Sequence, residues 1–414
     1  MRAYNHQMAQ KFRSQQTGPL ARSVNHYLAA AVILALCGCG GSGGSATSVN
    51  ANPSSTSPAT GSTLPSLPTG PLSYVSAFPA GKLPYPQHNP QFTSAQYEQM
   101  RKSNWILNNF SMYQGSDDGA SSMYLHDGLD FMLDDGTPVY AVKTGHIQDI
   151  SSDIITVDDP AKLETGWQMA HLVIDPRLKI GDQVFQGQYL GVVKTGNAHT
   201  HFNLLQRAES GSWFRNTKSF YPNDLFELID AMAPEFNSSI RYFRNATDTP
   251  FNSADGLNGK IDIVVAARDL GPNHPSNYPI RSAPATFSIS IANDSGQVKW
   301  EYQSDLRKLI LTPPFLGDAD AAKREVNLLF KKPNVMETGS WIGKGYLWWI
   351  ISNLPNHQTP QVINAKDEDM FWDSAKKDDK GNAVFANGNY TLKITAIDHN
   401  GNQASIVDKV RVNN

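Results

Sequence analysis

Residues 123–207 consist of short apolar runs separated by turns that contain glycine. Pairs such as Asp135-Gly136 and Thr195-Gly196 form these turns. Short apolar runs bounded by glycine are typical of strands joined by tight turns. The pattern therefore predicts a compact antiparallel sheet or barrel. Its runs are 129–133, 139–142, 171–174, 189–193 and 202–205, with Val184 between them.

A second β-rich region is predicted from residue 236 to the C-terminus. Apolar and polar residues alternate in 261–265, 287–291 and 390–396, as in half-buried strands of a sandwich. The pattern of residues 387–402 predicts a turn, a strand and a second turn. It resembles the closing hairpin of immunoglobulin-like modules. We therefore expect an immunoglobulin-like β-sandwich over 236–414, and an all-β protein as a whole. An aromatic cluster of this region forms either part of the core or a carbohydrate-binding platform, and alternation favours the core; it comprises Trp341, Tyr346, Trp348 and Trp349.

Two further segments connect these regions. Residues 71–122 are rich in proline and aromatic residues and contain one candidate helix near 93–110, with Thr93 as its N-cap. We expect this segment to pack against the domain at 123–235. Residues 223–232 form a bridge that is expected to be partly helical.

The N-terminus has the pattern of a secretory signal. Residues 1–39 carry four basic residues and no acidic one, followed by an apolar run at 27–36 that is too short to span a bilayer. The sequence around Cys37 and Cys39 resembles the lipobox of bacterial lipoproteins. Cys39 fits best as the lipidated first mature residue, with Cys37, or an ordinary signal peptide, as alternatives.

The residues after the signal have the composition of a flexible linker. In residues 40–70, 23 of 31 positions are Gly, Ser, Thr or Pro, and none is charged. Such a segment gives reach to a lipid-anchored protein. Gly40 is not the Asp that retains lipoproteins at the inner membrane, so we expect the bacterial outer membrane, facing the periplasm.

The composition is typical of a globular protein and restricts the kinds of ligand that the chain can bind. The chain has 414 residues, 40% hydrophobic and 18% charged, with a net charge of −3, which is typical of a globular protein. The charge argues against a nucleic-acid binder that neutralises phosphates. Cys37 and Cys39 are the only cysteines. Any metal in the rest of the chain must therefore be held by histidine and carboxylate side chains.

Histidine and carboxylate spacing points to a metal site. His126 and Asp130 lie four apart around Gly128, and a straight strand would separate them by about 13 Å. A bend is required, and Gly128 can supply it because glycine tolerates unusual backbone angles. His199 and His201 have the i, i+2 spacing that places two rings on one face of a strand. Two histidines and one carboxylate with an open fourth position form the catalytic pattern for zinc.

These residues lie within a series of motifs whose order and spacing match a known catalytic domain. The motifs are His126-x-Gly128-x-Asp130, Gly136-Thr-Pro-Val-Tyr-Ala141 with Gly145, Ala170-His171-Leu172, Val184-x-x-Gly187-Gln188-x-x-Gly191 and Gly196-x-x-His199-x-His201-Phe202. With these motifs, residues 125–205, about a fifth of the chain, resemble the lysostaphin-type zinc endopeptidases, which cut peptidoglycan peptides.

The resemblance implies a role for each of five residues. His126, Asp130 and His201 would bind zinc. His171 and His199 would orient or deprotonate the attacking water and stabilise the transition state. His88, His146 and His399, among other histidines in loop-like or exposed sequence, are expected to be solvated.

The chain departs from the family in two places. Asn203 stands where the family usually has Glu, and little effect on the chemistry is expected. Residues 145–171 look irregular, with Asp149, Asp153, Asp158 and Asp159 where the family usually shows a glycine-rich strand pair. The sequence therefore does not determine the shape of the substrate groove.

The sequence favours a zinc endopeptidase that hydrolyses the stem or cross-link peptides of peptidoglycan and is held to a membrane by a lipid anchor. Two alternatives remain. One is a non-catalytic regulator that binds and activates a separate cell-wall amidase, although such relatives lack metal ligands. The other is an adhesion or scaffold lipoprotein of the envelope.

Overall fold

The computed structural model describes most of the chain from residue 66 onward. The predicted signal segment with Cys39, the linker up to residue 65, and Trp341 and Tyr346 lie outside the described residues. Among the described residues, no helix is long and apolar enough to cross a membrane. The described ranges are 66–114, 124–162, 164–207, 213, 217–252, 255–269, 271, 282–313, 319–331, 347–356, 358–363 and 366–414.

Antiparallel strands dominate the first part of the described chain, up to residue 220. Its elements are helix α1 (Ser94–Ser103) and strands β1 (Tyr113–Gln114), β2 (Tyr124–Leu125), β3 (Leu129–Met132), β4 (Pro138–Tyr140), β5 (Gly145–Ser151), β6 (Ile154–Asp158), β7 (Thr165–Ala170), β8 (Leu172–Ile174), β9 (Gln183–Val184), β10 (Tyr189–Val193), β11 (His199–Gln206) and β12 (Lys218–Phe220).

Two sheets of this part share one apolar core. The larger sheet has the order β12-β11-β7-β6-β5-β9, with β3 also paired to β11. The smaller sheet has the order β4-β10-β8. Both contribute fully buried side chains to the core, among them Leu129, Val139, Val157 and Phe202. Burial of these alternating apolar residues is the main force that holds the sheets together.

Residues 145–170 contain three paired strands, with one register shift between Ile147 and Asp149, although the sequence there looked irregular. Strands β5, β6 and β7 pair in antiparallel fashion. Ile155 and Val157 of β6 are fully buried, whereas Asp153 lies in the turn before β6 and Asp158 at its end. Asp153 and Asp158 therefore lie at a turn and at a strand end, whereas Asp149 is half-buried within β5, where burial raises its pKa to about 6.

Helix α1 is shorter than the sequence predicted. Thr93 caps it as expected, and a reciprocal contact with Gln96 completes a capping box. The helix ends at Ser103, because residues 105–108 run beside β3 instead. The backbone N–H of Leu107 donates to the carbonyl of Asp130 (2.8 Å), and the N–H of Asp130 donates to the carbonyl of Asn108 (2.9 Å). Ladder bonds to β3 thus replace further helical turns.

The second β-rich region also consists mainly of antiparallel strands. Its elements are β13 (Glu235–Phe236), β14 (Arg241–Arg244), β15 (Lys260–Arg268), β16 (Thr286–Asn293), β17 (Val298–Asp305), β18 (Leu309–Ile310), α2 (Ala319–Leu329), β19 (Leu347–Ile350), β20 (Gln361–Val362), β21 (Trp372–Asp373), β22 (Gly388–Ile397) and β23 (Gln403–Val412).

Two sheets of this region face a common core, so the expected all-β class is confirmed. One sheet has the order β17-β16-β22-β23, and the other is built around β15, which pairs with β13, β14, β19 and β21. Ile263 of β15 and Ile291 of β16 lie in the same core. β15 is buried on both faces, not half-buried as its alternation suggested, because Val264 packs against Trp348 on its other side. Trp348 and Trp349 are buried, in agreement with the core interpretation.

The segment before His126 contributes to both cores. Tyr97 and Ile106 pack into the first core, whereas Phe110 and Met112 pack into the second. Leu125, which directly precedes His126, also lies in the second core. The boundaries at 71–122, 123–235 and 236–414 stay predictions.

Two histidines that were expected to be solvated are not. His88 is fully buried among aromatic rings, and burial lowers its pKa to about 4. His399 is partly buried, and its Nδ1 lies 2.6 Å from the hydroxyl of Tyr221. Their ring carbons are buried with the neighbouring aromatic residues, which local sequence does not reveal. The side chain of His146 is 43% exposed, as expected.

Candidate metal centre

His126 and Asp130 approach each other because the chain does not run straight between them. His126 lies in the loop after β2, and Asp130 is the second residue of β3. His126 Nε2 is 3.2 Å from Asp130 Oδ1. The bend that the sequence required is therefore present.

Gly128 allows this arrangement for a reason other than the one expected. Its backbone φ is not positive, so unusual backbone angles are not what the position demands. A Cβ at this position would instead overlap the side-chain oxygen of Asn203 and the backbone oxygen of Phe202. Gly128 is needed because β11 passes too close for any side chain.

His201 and His199 lie on β11, with the spacing that the sequence predicted. His201 is directly opposite Asp130 in the β11–β3 ladder, and its Nδ1 lies 2.7 Å from Asp130 Oδ1. Thr200 and Phe202, between and after the two histidines, are fully buried, so both rings lie on the other face of the strand. His126, Asp130 and His201 each offer a ligand atom, and these atoms lie within 4.8 Å of one another.

The outer nitrogen of each ligand histidine is hydrogen-bonded to an oxygen. His126 Nδ1 donates to the carbonyl of Asn109 (3.0 Å), and His201 Nε2 donates to Asn203 Oδ1 (2.6 Å). These bonds assign the ring tautomers, leaving His126 Nε2 and His201 Nδ1 as the inward atoms, 3.0 Å apart. Two nitrogen lone pairs at this distance require a positive charge between them, either a proton or a metal cation.

The donor set fits zinc. Two imidazoles and a carboxylate are ligands that zinc takes at catalytic sites. The inward atoms are separated by 2.7 to 3.2 Å, close to the edge of about 3.3 Å of a tetrahedron with ~2.0 Å bonds. The residues present therefore fit a zinc ion held by three side chains.

Burial and charge act on the pKa values of two of these side chains. Burial raises the pKa of the Asp130 carboxyl, but the neighbouring imidazoles, above all His126 and His199, outweigh burial and hold it well below its usual range. Burial lowers the pKa of His201, but the hydrogen bond and charge of Asp130 outweigh burial and raise it to about 9. At neutral pH, Asp130 is thus ionised and the metal-free His201 carries a proton that a metal ion must displace.

His199 and His171 lie beside the three ligands. His199 Nδ1 donates to the carbonyl of Asn197 (2.5 Å), which leaves Nε2 as the acceptor, 3.8 Å from Asp130 Oδ2. The ring of His171 lies 4.6 Å from that of His199 and 6.5 Å from that of His201. All five residues that the resemblance singled out therefore come together.

The backbone of His171 is strained. It adopts a φ of 66°, in the left-handed region that residues with a side chain rarely occupy. It lies between β7 and β8, at the point where the chain leaves the larger sheet and enters the smaller one. Burial and the nearby charges of His199 and His201 lower its pKa to about 4, so His171 is neutral at pH 7. Strain of this kind is a common feature of active sites.

Sequence reasoning missed several residues that contact the candidate ligands. Asn108 Nδ2 donates to Asp130 Oδ2 (2.6 Å), and Asn109 provides the carbonyl bonded to His126. Asn203 was expected to have little effect, but it is the partner of His201 Nε2. Asn108 and Asn109 lie 22 and 17 residues from their partners, and no local pattern reveals such contacts.

A groove of about 470 Å³ adjoins His171. Apolar side chains such as Leu172 and Leu178 line it, together with Asp153 and Lys194. Asp153 Oδ2 accepts a hydrogen bond from Lys194 Nζ (3.0 Å) and lies 3.9 Å from His171 Nδ1. The acidic segment that departs from the family pattern thus contributes a charged wall beside the histidines.

Neither a protein-family model nor a curated protein matches the chain. Solved structures that resemble part of it include Csd3 of Helicobacter pylori, with 20% identity over 24% of this chain and 29% of that chain, and a TM-score of 0.21. A zinc-containing peptidase from Vibrio cholerae shows 21% identity over 25% and 33% of the two chains, with a TM-score of 0.21. The catalytic domain of the prophage-encoded M23 protein EnpA from Enterococcus faecalis shows 18% identity over 29% and 89%, with a TM-score of 0.22.

The chain covers less than half the length of the Csd3 and Vibrio cholerae proteins. All three TM-scores lie well below 0.5.

Proposed function

We propose that this protein is a zinc endopeptidase that hydrolyses the peptide cross-links of bacterial peptidoglycan. The observation that carries the proposal is the convergence of the inward atoms of His126, Asp130 and His201 within 4.8 Å of one another. His199 and His171 stand beside this cluster. A merely structural zinc site is closed by four protein ligands, whereas three ligands and two further imidazoles are typical of hydrolysis.

The ligand atoms for zinc are His126 Nε2, an Asp130 carboxylate oxygen and His201 Nδ1. When bound, zinc supplies a Lewis acid that polarises the scissile carbonyl and lowers the pKa of water from about 16 toward 7. His199 Nε2 is oriented as a proton acceptor by its Nδ1 bond to Asn197, and it takes the proton of the attacking water. The neutral His171 donates an N–H to the developing oxyanion. The proton then passes from His199 to the leaving amine.

The test of this function is digestion of purified peptidoglycan in a gel, with and without a zinc chelator. We expect a clearing zone that the chelator abolishes and added zinc restores. Mass analysis of the released muropeptides identifies the bond that is cut. A non-catalytic amidase activator or an adhesion lipoprotein produces no chelator-sensitive clearing zone. The proposal is contradicted if no clearing zone forms, or if the zone persists in the presence of the chelator.

Asp130→Ala tests the metal centre directly. Asp130 contacts both ligand histidines, so its loss removes the only anionic ligand of the three residues. We expect loss of bound zinc, measured by atomic absorption, together with loss of hydrolysis. Asp175→Asn, which alters a buried carboxylate bonded to Arg177, serves as the control and keeps its zinc. Equal zinc content in wild type and Asp130→Ala would contradict the ligand assignment.

We also propose that Cys39 carries a lipid anchor and that residues 40–70 form the tether of a protein located at the outer membrane, facing the periplasm. Support comes from the apolar run, the lipobox-like sequence and Gly40 after the cysteine. Labelling with a fatty-acid analogue in a bacterial host tests this, with Cys37→Ala as the control. Labelling that survives Cys39→Ala but not Cys37→Ala would reassign the anchor.

A further inference from the structure

A buried carboxylate lies behind the metal centre and has no role in the mechanism above. Asp127 is 5% exposed and directly follows the ligand His126. Its Oδ1 lies 3.6 Å from His201 Nε2, the nitrogen that faces away from the metal centre. Its Oδ2 accepts hydrogen bonds from Asn203 Nδ2 (3.1 Å) and from the hydroxyl of Ser219 (3.3 Å). Asp127 therefore faces His201 from the side opposite Asp130.

The acceptors around Asn203 determine which way its amide points. Asp127 Oδ2 and Gln168 Oε1 both lie on the Nδ2 side, at 3.1 and 3.4 Å. Gln168 presents Oε1 on this side, and its Nε2 donates to Thr156 Oγ1 (2.9 Å) on the other. An amide nitrogen donates and carboxylate and carboxamide oxygens accept, so Asn203 Nδ2 faces Asp127 and Asn203 Oδ1 faces His201.

The orientation of the Asn203 amide then determines the tautomer of His201. Asn203 Oδ1 lies 2.6 Å from His201 Nε2 and can only accept, so Nε2 must carry the hydrogen. His201 Nδ1 is thereby left for the metal. The chain of bonds runs from Asp127 through Asn203 to His201, and Gly128 gives it room because a Cβ there would overlap Asn203 Oδ1.

We propose that Asp127 is a positioning residue of the metal centre, acting through Asn203 to hold His201 in the Nε2–H tautomer and to supply negative charge behind it. In the family that the sequence resembles, a glutamate usually stands at the position of Asn203. In this chain the amide occupies that position and the carboxylate lies one step further away, at residue 127. The inference rests on the zinc centre proposed above, and it concerns metal affinity, not hydrolysis.

The test is the zinc dissociation constant, measured by competition with a chromophoric chelator. Removing such an outer partner typically weakens metal binding about 10- to 100-fold. We expect a loss in this range for Asp127→Asn, and for Asn203→Leu, which removes the acceptor at similar volume. Asp127→Asn combined with Asn203→Glu places a carboxylate directly behind His201, and we expect it to recover most of the affinity. Asp175→Asn is the matched control, since it also alters a buried carboxylate but one that contacts Arg177.

A second measurement needs no variant. Nitrogen NMR of the zinc-loaded wild type, with labelled histidine, reports which ring nitrogen of His201 carries hydrogen. The proposal requires hydrogen on Nε2 and is overturned by hydrogen on Nδ1. It is also overturned if folded Asp127→Asn and Asn203→Leu bind zinc as tightly as wild type. Wild type that binds zinc but does not cut peptidoglycan would instead refute the proposed function and leave this inference standing.

Discussion

The two ring nitrogens of His201 have different tasks. Nδ1 faces Asp130 and His126, whereas Nε2 faces Asn203 and Asp127. In the metal-free protein both nitrogens carry hydrogen at neutral pH, because Asp130 raises the pKa of the ring to about 9 despite its burial. A zinc ion bound at Nδ1, as proposed above, would therefore displace one proton.

This competition predicts how zinc affinity depends on pH. Below about pH 9, binding must release the proton of His201, so affinity rises by up to about tenfold per pH unit between pH 7 and 9. The same raised pKa stabilises the metal-free fold fully below about pH 6.5, and that contribution is lost as pH rises toward 9. Calorimetry in buffers of different ionisation enthalpy measures the proton release. Binding without proton release at pH 7.5 would contradict the assignment.

His199→Ala separates catalysis from metal binding. His199 Nε2 lies near Asp130 but is not among the three residues whose ligand atoms converge. Loss of a general base typically lowers turnover about 10²- to 10⁴-fold. We expect a fall in kcat of that size with zinc content close to wild type. The measurement pairs single-substrate kinetics with metal analysis, and a variant that loses zinc and activity together would instead make His199 a ligand.

Single elements bring these residues into register. Strand β11 carries His199, His201 and Asn203 and pairs with β3, so that Asp130 comes directly opposite His201. The loop that holds His126 and Asp127 passes close to the same strand. This loop can approach β11 so closely because residue 128 is glycine, and the backbone of β11 leaves no room for a Cβ there.

Gly128→Ala is therefore expected to destabilise the fold and loosen the site. Overpacking of this kind costs typically about 1–3 kcal/mol of the free energy of unfolding. The added methyl group also pushes against Asn203 Oδ1, so zinc affinity falls as well. Urea unfolding and chelator competition measure the two effects. Gly70→Ala is the control, because a Cβ there meets open space, and equal losses in both variants would refute the steric explanation.

At the scale of the whole molecule, the site is connected to the second β-rich region. The side chain of Asn109 makes two hydrogen bonds with the backbone of Ala283, at 2.8 and 2.7 Å, in that region. The backbone carbonyl of Asn109 accepts a hydrogen bond from His126 Nδ1. Phe110, which follows Asn109 in the sequence, and Leu125, which precedes His126, are both buried in the second core. His126 is thus positioned partly by residues far along the chain.

Asn109→Ala tests this connection. It leaves the buried N–H and carbonyl of Ala283 without their partners, and we expect a loss of about 2–4 kcal/mol of the free energy of unfolding. Denaturant unfolding measures the change, with the exposed Asn389→Ala as control. A loss below about 0.5 kcal/mol, the usual scatter of surface substitutions, would show that the contact does not stabilise the fold.

Local sequence was sufficient for the periodic features and for singling out His126, Asp130 and His201, which the fold brings together as candidate metal ligands. Alternation predicted strands such as β16 and β22, because burial on one face of a strand requires a period of two. The i, i+2 spacing of His199 and His201 placed both rings on one face for the same reason. Neither result depends on contacts between distant segments.

The tertiary structure alone decided which partners complete the site. Asn108, Asp127 and Asn203 became significant only when β3, β11 and the loop at His126 came together, and the reason for Gly128 changed from backbone freedom to close approach. Strands β5 to β7 were likewise hidden, because acidic residues within β5, in the turn before β6 and at its end obscured their apolar pattern. Periodicity is a property of neighbouring residues, whereas hydrogen bonds and steric contacts join residues that only folding brings together.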